Sequence, residues 1–444
     1  MFDCCRLSNR RCGYPAVTET IRVNERTLRT MSSRRLVGEQ GEVRALARLG
    51  LSELGKATVG IARVHRATSA AVFGTLDLAI GRPVAPVRTV HDAVSEAVYT
   101  SITGVLDSAT IVADALPETG PQPTRTVRGA AMIGILDGLI GDALDDEHSP
   151  LAPQMAPRVG GSPVAVTTDG LAAAYPRATG HLVVFLHGLM ETEHAWRLGG
   201  RPTYGARLAD EIGATEVQIR YNTGRHISDN GATLARLLSE MVLLWPVPVT
   251  RISLVGHSMG GLVVRSACHL GAKSRAPWVP LVTETVSLGS PHLGAPLARG
   301  VHAASSALRV LSVTRPFGEL LRRRSAGVRD LFHGNVIAED GPSADPDGWW
   351  QAPGADVPLL AGARHLFVTA SLFGNPRHPL GRFIGDGLVL TPSGRGFHRS
   401  RRIGFRDEDG MHLGRANHFT LLNHDEIYLW LRDGLRPLRA LTAG

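Results

Sequence analysis

At 444 residues and 43% hydrophobic, the chain can bury a large core and is long enough for more than one compact unit. Only 5% of residues are aromatic, so aliphatic side chains must fill that core, and the net charge of +8 is carried almost wholly by scattered arginine, with lysine only at Lys56 and Lys273. No aromatic-interleaved basic stripe points to nucleic acid, four cysteines make no disulfide framework in a chain this long, and no uncharged apolar run reaches membrane-spanning length.

Residues 1–40 are polar, Arg-rich and aperiodic and read as disordered, with Met31 as an alternative start. Cys4, Cys5 and Cys12 fall there without metal-type spacing. Neither Arg10-Arg11 nor Arg34-Arg35 is followed by a signal-type apolar run, so the expectation is a cytoplasmic protein. The excess of arginine leaves room for loose peripheral contact with anionic lipid headgroups. Residues 41–160 read as a helical N-terminal region. Val43, Leu46, Leu49, Leu51 and Leu54 mark one amphipathic helix. Val72, Phe73, Leu76 and Ile80 mark a second, ended by Gly81 and Pro83; Val94, Val98, Ile102, Leu106, Ile111 and Leu116 mark a third. Pro117–Arg128 reads as a linker, 129–144 as a Gly-rich apolar helix and 148–163 as a connector. Asp137, Asp142, Asp145 and Asp146 read as a solvated face and a helix end rather than a metal site, because their spacing lacks a calcium-loop pattern.

From residue 161 to 440 the texture is that of alternating strands and helices, which predicts an α/β fold with a mostly parallel central sheet. Strands are expected at Ser162–Thr168, Leu182–Leu186, Glu216–Tyr221, Ile252–Val255, Thr283–Leu288 and His365–Ala370. A helix capped by Ser228 carries Leu234, Leu237, Leu238 and Met241 on one face and stops before Pro246. A second runs from Gly260 to a stop at Gly271, with Cys268 as a small core residue. Residues 293–364 read as an insertion, with helical pieces at 297–313 and 316–332 and a loop at 335–356. Its apolar residues Leu308, Val310, Leu311, Phe317, Leu320 and Leu321 suit a lid or core packing equally. The last helix spans 424–433, with Asn423 and Glu426 as a capping box, Ile427, Trp430 and Leu431 as its buried stripe and Gly434 as its stop.

Chemistry concentrates at Gly256-His257-Ser258-Met259-Gly260, a G-x-S-x-G pentapeptide between an apolar strand and a helix. A serine there occupies a sharp turn, and glycine is needed on both sides because a Cβ would strike the adjoining backbone. A serine hydroxyl is a poor nucleophile without a base in reach and an acid orienting that base. Asp386, flanked by Gly385 and Gly387, is the leading acid, with Asp330, Asp407 and Asp409 behind it. His418 is the leading base, with His412 as its rival and His398 and His424 as lesser candidates. Backbone N–H groups of Met259 and Leu189 are the candidate oxyanion donors, and His187, Gly188, His257 and His292 are expected at the rim of the site.

Together, His187-Gly188-Leu189, Gly256-His257-Ser258-Met259-Gly260-Gly261, Gly289-Ser290-Pro291-His292-Leu293-Gly294, Asp386-Gly387-Leu388-Val389 and Asn417-His418 before Leu421-Leu422 resemble the lipase- and esterase-type α/β-hydrolases. The similarity spans about 180–434. It lies toward bacterial lipases and, beyond them, the GPI inositol-deacylase type. The resemblance implies an α/β-hydrolase fold with a lid-like insertion, Ser258 as nucleophile, Asp386 as acid, His418 as base, and hydrolysis of a lipid-like acyl ester. That chemistry needs no metal and no cofactor. The same residues would serve an acyltransferase or a thioesterase, and a binding scaffold could keep the fold without turnover. Residues 1–128 gain nothing from the resemblance, and oligomeric state is not written in the sequence.

Overall fold

The computed structural model describes residues 41–52, 92, 96, 100, 103, 104, 107, 122–294, 325–338, 357–374, 385–397 and 401–436. The expected helix at 72–80, the helical piece at 297–313 and the candidate lid residues lie outside these. Residues 96, 100, 103, 104 and 107 of the expected third helix are helical, and its apolar positions lie outside the described set.

Eight strands form one sheet: β1 (Ala156–Val159), β2 (Ser162–Pro163), β3 (His181–Leu186), β4 (Thr215–Arg220), β5 (Arg251–His257), β6 (Val282–Leu288), β7 (Arg364–Ser371) and β8 (Gly410–Gly414). Their spatial order is β2-β1-β4-β3-β5-β6-β7-β8. β1 pairs antiparallel with β2 and β4, and every pairing from β4 through β8 is parallel. The central strands are buried on both faces, so their residues alternate between two cores. Leu182, Val184 and Leu186 of β3 join Ile252 and Leu254 of β5 on one side; Val183 and Phe185 join Val255 on the other.

Each face is covered by helices whose apolar stripe matches it. On the first lie α2 (Thr168–Ala174), α4 (Ile227–Leu244) and α5 (Met259–Ser274), bringing Leu171, Leu234, Leu238, Leu262 and Val263. On the second lie α3 (Tyr204–Ile212) and α7 (Asp425–Gly434), with Leu208, Ile427 and Leu431, and a 3-10 segment Glu193–Gly200 that contributes Trp196. A third cluster forms outside the sheet, where Ile133, Ile140 and Leu144 of α1 (Val127–Asp146) meet Leu151 and Ala152, with Ala45, Leu46 and Leu49 of the helical stretch 42–52 packed on them. α6 (Ala326–His333) is capped by Ser325, whose hydroxyl donates to Gly138 O of α1 at 2.7 Å.

Several expectations shift. The connector at 148–163 contains β1, and the early strand shortens to two residues paired with it. The linker Pro117–Arg128 carries structure in its described part. Pro123–Arg125 is a 3-10 turn, and buried Thr124 bonds the Glu42 carboxylate and offers its carbonyl to Arg220 at 2.7 Å. Asp137 is not on a solvated face: it is 2% exposed, and burial pushes its carboxyl well above the usual range against the pull of Arg220. Asp142 accepts from Ala326 N, and Asp145 pairs with Arg225. Ser228 does not cap α4, which begins after His226. α5 runs past Gly271 and ends at Arg275 in the left-handed region. The capping box lies at Asn417 and Thr420 rather than at Asn423, whose amide instead reaches the carbonyls of Trp196, Arg201 and Pro202. Cys268 is buried as expected, its thiol pushed up to about 12 by desolvation.

Candidate active site

Ser258 sits where β5 turns into α5, at φ 52° and ψ −120°, a backbone conformation L-residues rarely adopt. The turn leaves no room for side chains beneath it. A Cβ on Gly256 would lie 2.3 Å from Gly261 N, and one on Gly260 would lie 2.4 Å from Leu186 O. The Ser258 N–H donates to Leu288 O at 2.9 Å, tying the turn to the end of β6. Met259 is the first residue of α5, so its amide is one of the first-turn N–H groups without an intrahelical acceptor.

The loop after β3 closes on this turn. A Cβ on Gly188 would stand 2.9 Å from Ser258 Cβ and 3.0 Å from Glu191 Oε2. The Gly188 N–H is taken by Glu191 Oε2 at 2.7 Å and the Met190 N–H by Thr223 Oγ1 at 3.4 Å, whereas the Leu189 N–H between them makes no hydrogen bond among the described residues. Met190 holds a positive φ of 61°.

Asp386 and His418 meet from two C-terminal loops. The Asp386 carboxylate accepts Leu388 N–H and Val389 N–H on Oδ1, at 2.9 and 2.7 Å, and faces His418 Nδ1 across 2.8 Å with Oδ2. The His418 N–H donates to Asp386 O at 3.0 Å, so the two residues are fixed by backbone as well as by side chain. Gly385, at φ 59°, gives the turn its shape: a Cβ there would lie 1.9 Å from Val389 O. His418 opens the 3-10 turn His418–Leu422, and a Cβ on Gly289, one residue beyond β6, would lie 3.2 Å from its ring. The structure thus brings the turn carrying Ser258, the His418 ring and the Asp386 carboxylate to one edge of the sheet, and among the described residues the Ser258 hydroxyl makes no hydrogen bond.

The rivals lie elsewhere. His412 belongs to β8 and bonds Thr369 and Ser371; His424 caps α7. His398 is outside the described residues. Asp330 bonds His226, Asp407 bonds Arg395 and Asp409 bonds Arg364.

The expected rim residues are deeper than expected. Gly188 is buried, and His187, His257 and His292 are fully buried, each beneath the surface for a different reason. His187 stacks on Tyr221 at 4.5 Å, and its carbonyl accepts the Tyr221 hydroxyl at 2.7 Å. Burial drives its imidazole down to about 4, against Gly188 O and the carboxylates of Glu191 and Glu193. His292 packs on Phe405 at 4.8 Å; burial, then Arg265, Arg401 and His365, push its imidazole well below the usual range. His257 lies under the candidate base, its ring 4.6 Å from that of His418 and edge-on to Trp196. It pairs with Glu191, a carboxylate the sequence reading did not single out. Its signal was an acid three residues past a glycine in an otherwise uncharged loop.

An antiparallel pair at one end, then parallel strands with β3 and β4 exchanged, and a serine in a strained turn between the fifth strand and its helix, are together decisive. The chain has the α/β-hydrolase fold. Residues 176–334 match the family described as "Putative serine esterase (DUF676)", a stretch that takes in β3, the Ser258 turn and the loop after β6 and ends before Asp386. No curated protein matches the chain. Solved structures similar to it include the mature lipase BlEst2 of Bacillus licheniformis, 20% identical, with a TM-score of 0.38 over 56% of this chain and 91% of that one. The RedJ thioesterase of prodiginine biosynthesis in Streptomyces coelicolor is 19% identical, with a TM-score of 0.31 over 59% of this chain and 92% of that one. A thermophilic esterase of Thermogutta terrifontis is 14% identical, with a TM-score of 0.35 over 58% and 90%. Likenesses this distant carry no argument about substrate; the assignment of this α/β-hydrolase's fold stands on its strand order. Among the described residues no helix is long and apolar enough to cross a membrane.

Proposed function

We propose that this α/β-hydrolase is a serine hydrolase of carboxylic esters, with Ser258 as nucleophile, His418 as base and Asp386 as the acid that orients it. The observation that carries the reading is the convergence of three separate loops. A strained serine turn, an imidazole and an imidazole-bound carboxylate meet where the parallel strands end, with the loop of Leu189 against the serine. Because Nδ1 of His418 faces Asp386, Nε2 is the nitrogen left to take the serine proton. Ser258 Oγ attacks the ester carbonyl, its proton passes to Nε2, and the same proton leaves with the alcohol as the carbonyl re-forms. Water then attacks the acyl-enzyme, giving a proton to Nε2, and that proton passes to Ser258 Oγ as the acyl–oxygen bond breaks, releasing the acid and the free serine. The amides of Met259 and Leu189 take the negative charge that develops on the carbonyl oxygen.

The lipid-like acyl group expected from the sequence is part of this proposal and is read by chain length. Ser258→Ala is expected to lower turnover of p-nitrophenyl esters at least about a thousandfold and to abolish labelling by a fluorophosphonate probe. Undiminished turnover in the variant rejects the assignment. In the wild type, activity rising from acetate to palmitate supports a lipid-like acyl chain, and activity confined to short esters removes it. Thioester substrates and an added alcohol acceptor, run beside this series, assign where the acyl-enzyme discharges.

A further inference from the structure

The two ring nitrogens of His257 face two acceptors. Nδ1 lies 2.9 Å from Glu191 Oε2, and Nε2 lies 3.2 Å from the main-chain oxygen of His418. A peptide carbonyl has no proton to give, and neither has an ionised carboxylate. A neutral imidazole owns one N–H and would leave one of these contacts as two opposed lone pairs in a fully buried place. Only the imidazolium donates to both. The Glu191 oxygen that meets His257 also accepts Gly188 N–H at 2.7 Å, a contact that favours the ionised carboxylate.

We infer that Glu191 is a positioning residue: its carboxylate holds His257 as a doubly donating imidazolium that ties the oxyanion loop to the backbone of the His418 base. The inference rests on the serine-hydrolase reading above. One carboxylate oxygen fixes the Gly188 amide and so holds the loop that carries the next amide, that of Leu189, against Ser258. Through the charged ring, the same oxygen fixes the His418 carbonyl. The Gly188 backbone lies too near Ser258 and His257 for a Cβ, so the loop is seated directly against the serine turn.

The surroundings agree with the geometry. Burial alone pushes the His257 imidazole down, yet the charge and hydrogen bond of Glu191, then His418 O and Asp386, more than offset this and leave it raised. Burial pushes the Glu191 carboxyl up, and the charge and hydrogen bond of His257, then Gly188 N–H and His418, bring it below the usual range. The titratable groups around the pair are His418 and Asp386 from the C-terminal loops, His187 at the end of β3 and Tyr221 after β4. Trp196 packs against His257 in a T-shaped arrangement, 6.3 Å between ring centroids.

The test uses the full chain labelled with ¹⁵N in its histidine rings. One imidazole, assigned by its loss in His257→Asn, is expected to carry protons on both nitrogens at pH 7.5, and Glu191→Gln is expected to convert it to the neutral form. In p-nitrophenyl butyrate turnover, Glu191→Gln and His257→Asn are expected to lower kcat by about tenfold to a hundredfold, the worth of a hydrogen bond to a charged group. KM is expected to stay within about threefold in both, because neither residue adds a substrate contact. Should His257→Asn misfold, the wild-type ring is assigned instead by through-bond correlation to its own backbone amide, so a misfolded substitution does not blunt the test. A wild type that labels with fluorophosphonate but shows a neutral His257, or a folded Glu191→Gln with wild-type kcat, overturns this inference alone. A wild type that neither labels nor turns over an ester overturns the hydrolase reading and this inference with it.

Discussion

Asp386 shows how little of a candidate catalytic residue's environment is catalytic. One carboxylate oxygen is used up by the backbone of its own turn, through Leu388 and Val389, and only the other faces His418. An asparagine could keep the first set of bonds with its carbonyl oxygen. Its amide nitrogen would then face His418 Nδ1 as a donor and force the ring into the tautomer with its proton on Nε2, the nitrogen that must be basic. Asp386→Asn is therefore expected to lower kcat about a thousandfold to ten-thousandfold while the thermal melting midpoint stays near that of the wild type. Steady-state kinetics and a thermal melt of the same preparation check both halves. Equal kcat would remove Asp386 from the mechanism. At this scale the sequence was legible where chemistry imposes a spacing: a glycine on each side of a serine, a glycine on each side of an aspartate. Glu191 was hidden because its role depends on His257, 66 residues away, and no local pattern announces a partner at that distance.

Among elements, α1 owes its place to missing side chains. Its Gly134, Gly138 and Gly141 face the loop at Met190 and Glu191 and the turn at Asn222. A Cβ on Gly141 would lie 2.1 Å from Asn222 Oδ1, and Asn222 has no freedom to retreat: it is 2% exposed, and its amide donates to Gly141 O at 2.7 Å. Gly141→Val is expected to cost about 1–3 kcal/mol by overpacking, seen as a lower urea midpoint. Gly50→Ala, in the helical stretch 42–52 with nothing within 4 Å, is the counterpart and is expected to stabilise by about 0.5–1 kcal/mol. Opposite shifts support the docked helix; equal ones count against it. The strands from β3 to β7 were legible because residues buried on two faces leave long apolar runs, as in Leu182 to Leu186, whereas β1 and β2, at the edge of the sheet, leave none. β8 was not, since Gly410-Met411-His412-Leu413-Gly414 carries only two apolar side chains and is held by pairing to β7. α3 was missed because its nine residues span too few turns for a clear period. The cap of α7 was misplaced by one residue: His424 accepts the Glu426 N–H, while the Asn423 amide reaches away to the carbonyls of Trp196, Arg201 and Pro202, a choice that only tertiary contacts decide.

For the whole molecule, buried titratable groups set how stability answers to pH, and their signs divide. The His187 imidazole is lowered from 6.5 to about 4, first by burial. Between those values the unfolded chain binds a proton that the folded chain refuses, so its contribution is complete above pH 6.5 and is lost as pH falls toward 4. At about 1.4 kcal/mol per unit this one group is worth roughly 3 kcal/mol across the window. His181, also lowered to about 4 by burial and Arg251, acts in the same direction, as do His292 and His365. Glu193, lowered by Arg220 against its burial, adds a further loss as pH falls through the carboxylate range. Asp137 and Glu216, both raised by burial, oppose this, since their contribution is present at low pH and lost as pH rises. His257 works from the alkaline side: with its imidazole raised, its contribution is whole below pH 6.5 and is lost as pH climbs through the raised value. Stability is thus expected to be greatest just above pH 6.5 and to decline on acidification to 4, because the lowered histidines outnumber the raised carboxylates. Urea midpoints measured at half-unit steps from pH 8 to 4 read the slope. His187→Phe, which keeps a ring on Tyr221 but cannot bind a proton, is expected to flatten the acid limb by about 3 kcal/mol over the window. An acid limb as steep in that variant as in the wild type would mean that the proton is taken up elsewhere, and that the end of β3 plays no part in the acid response of the fold.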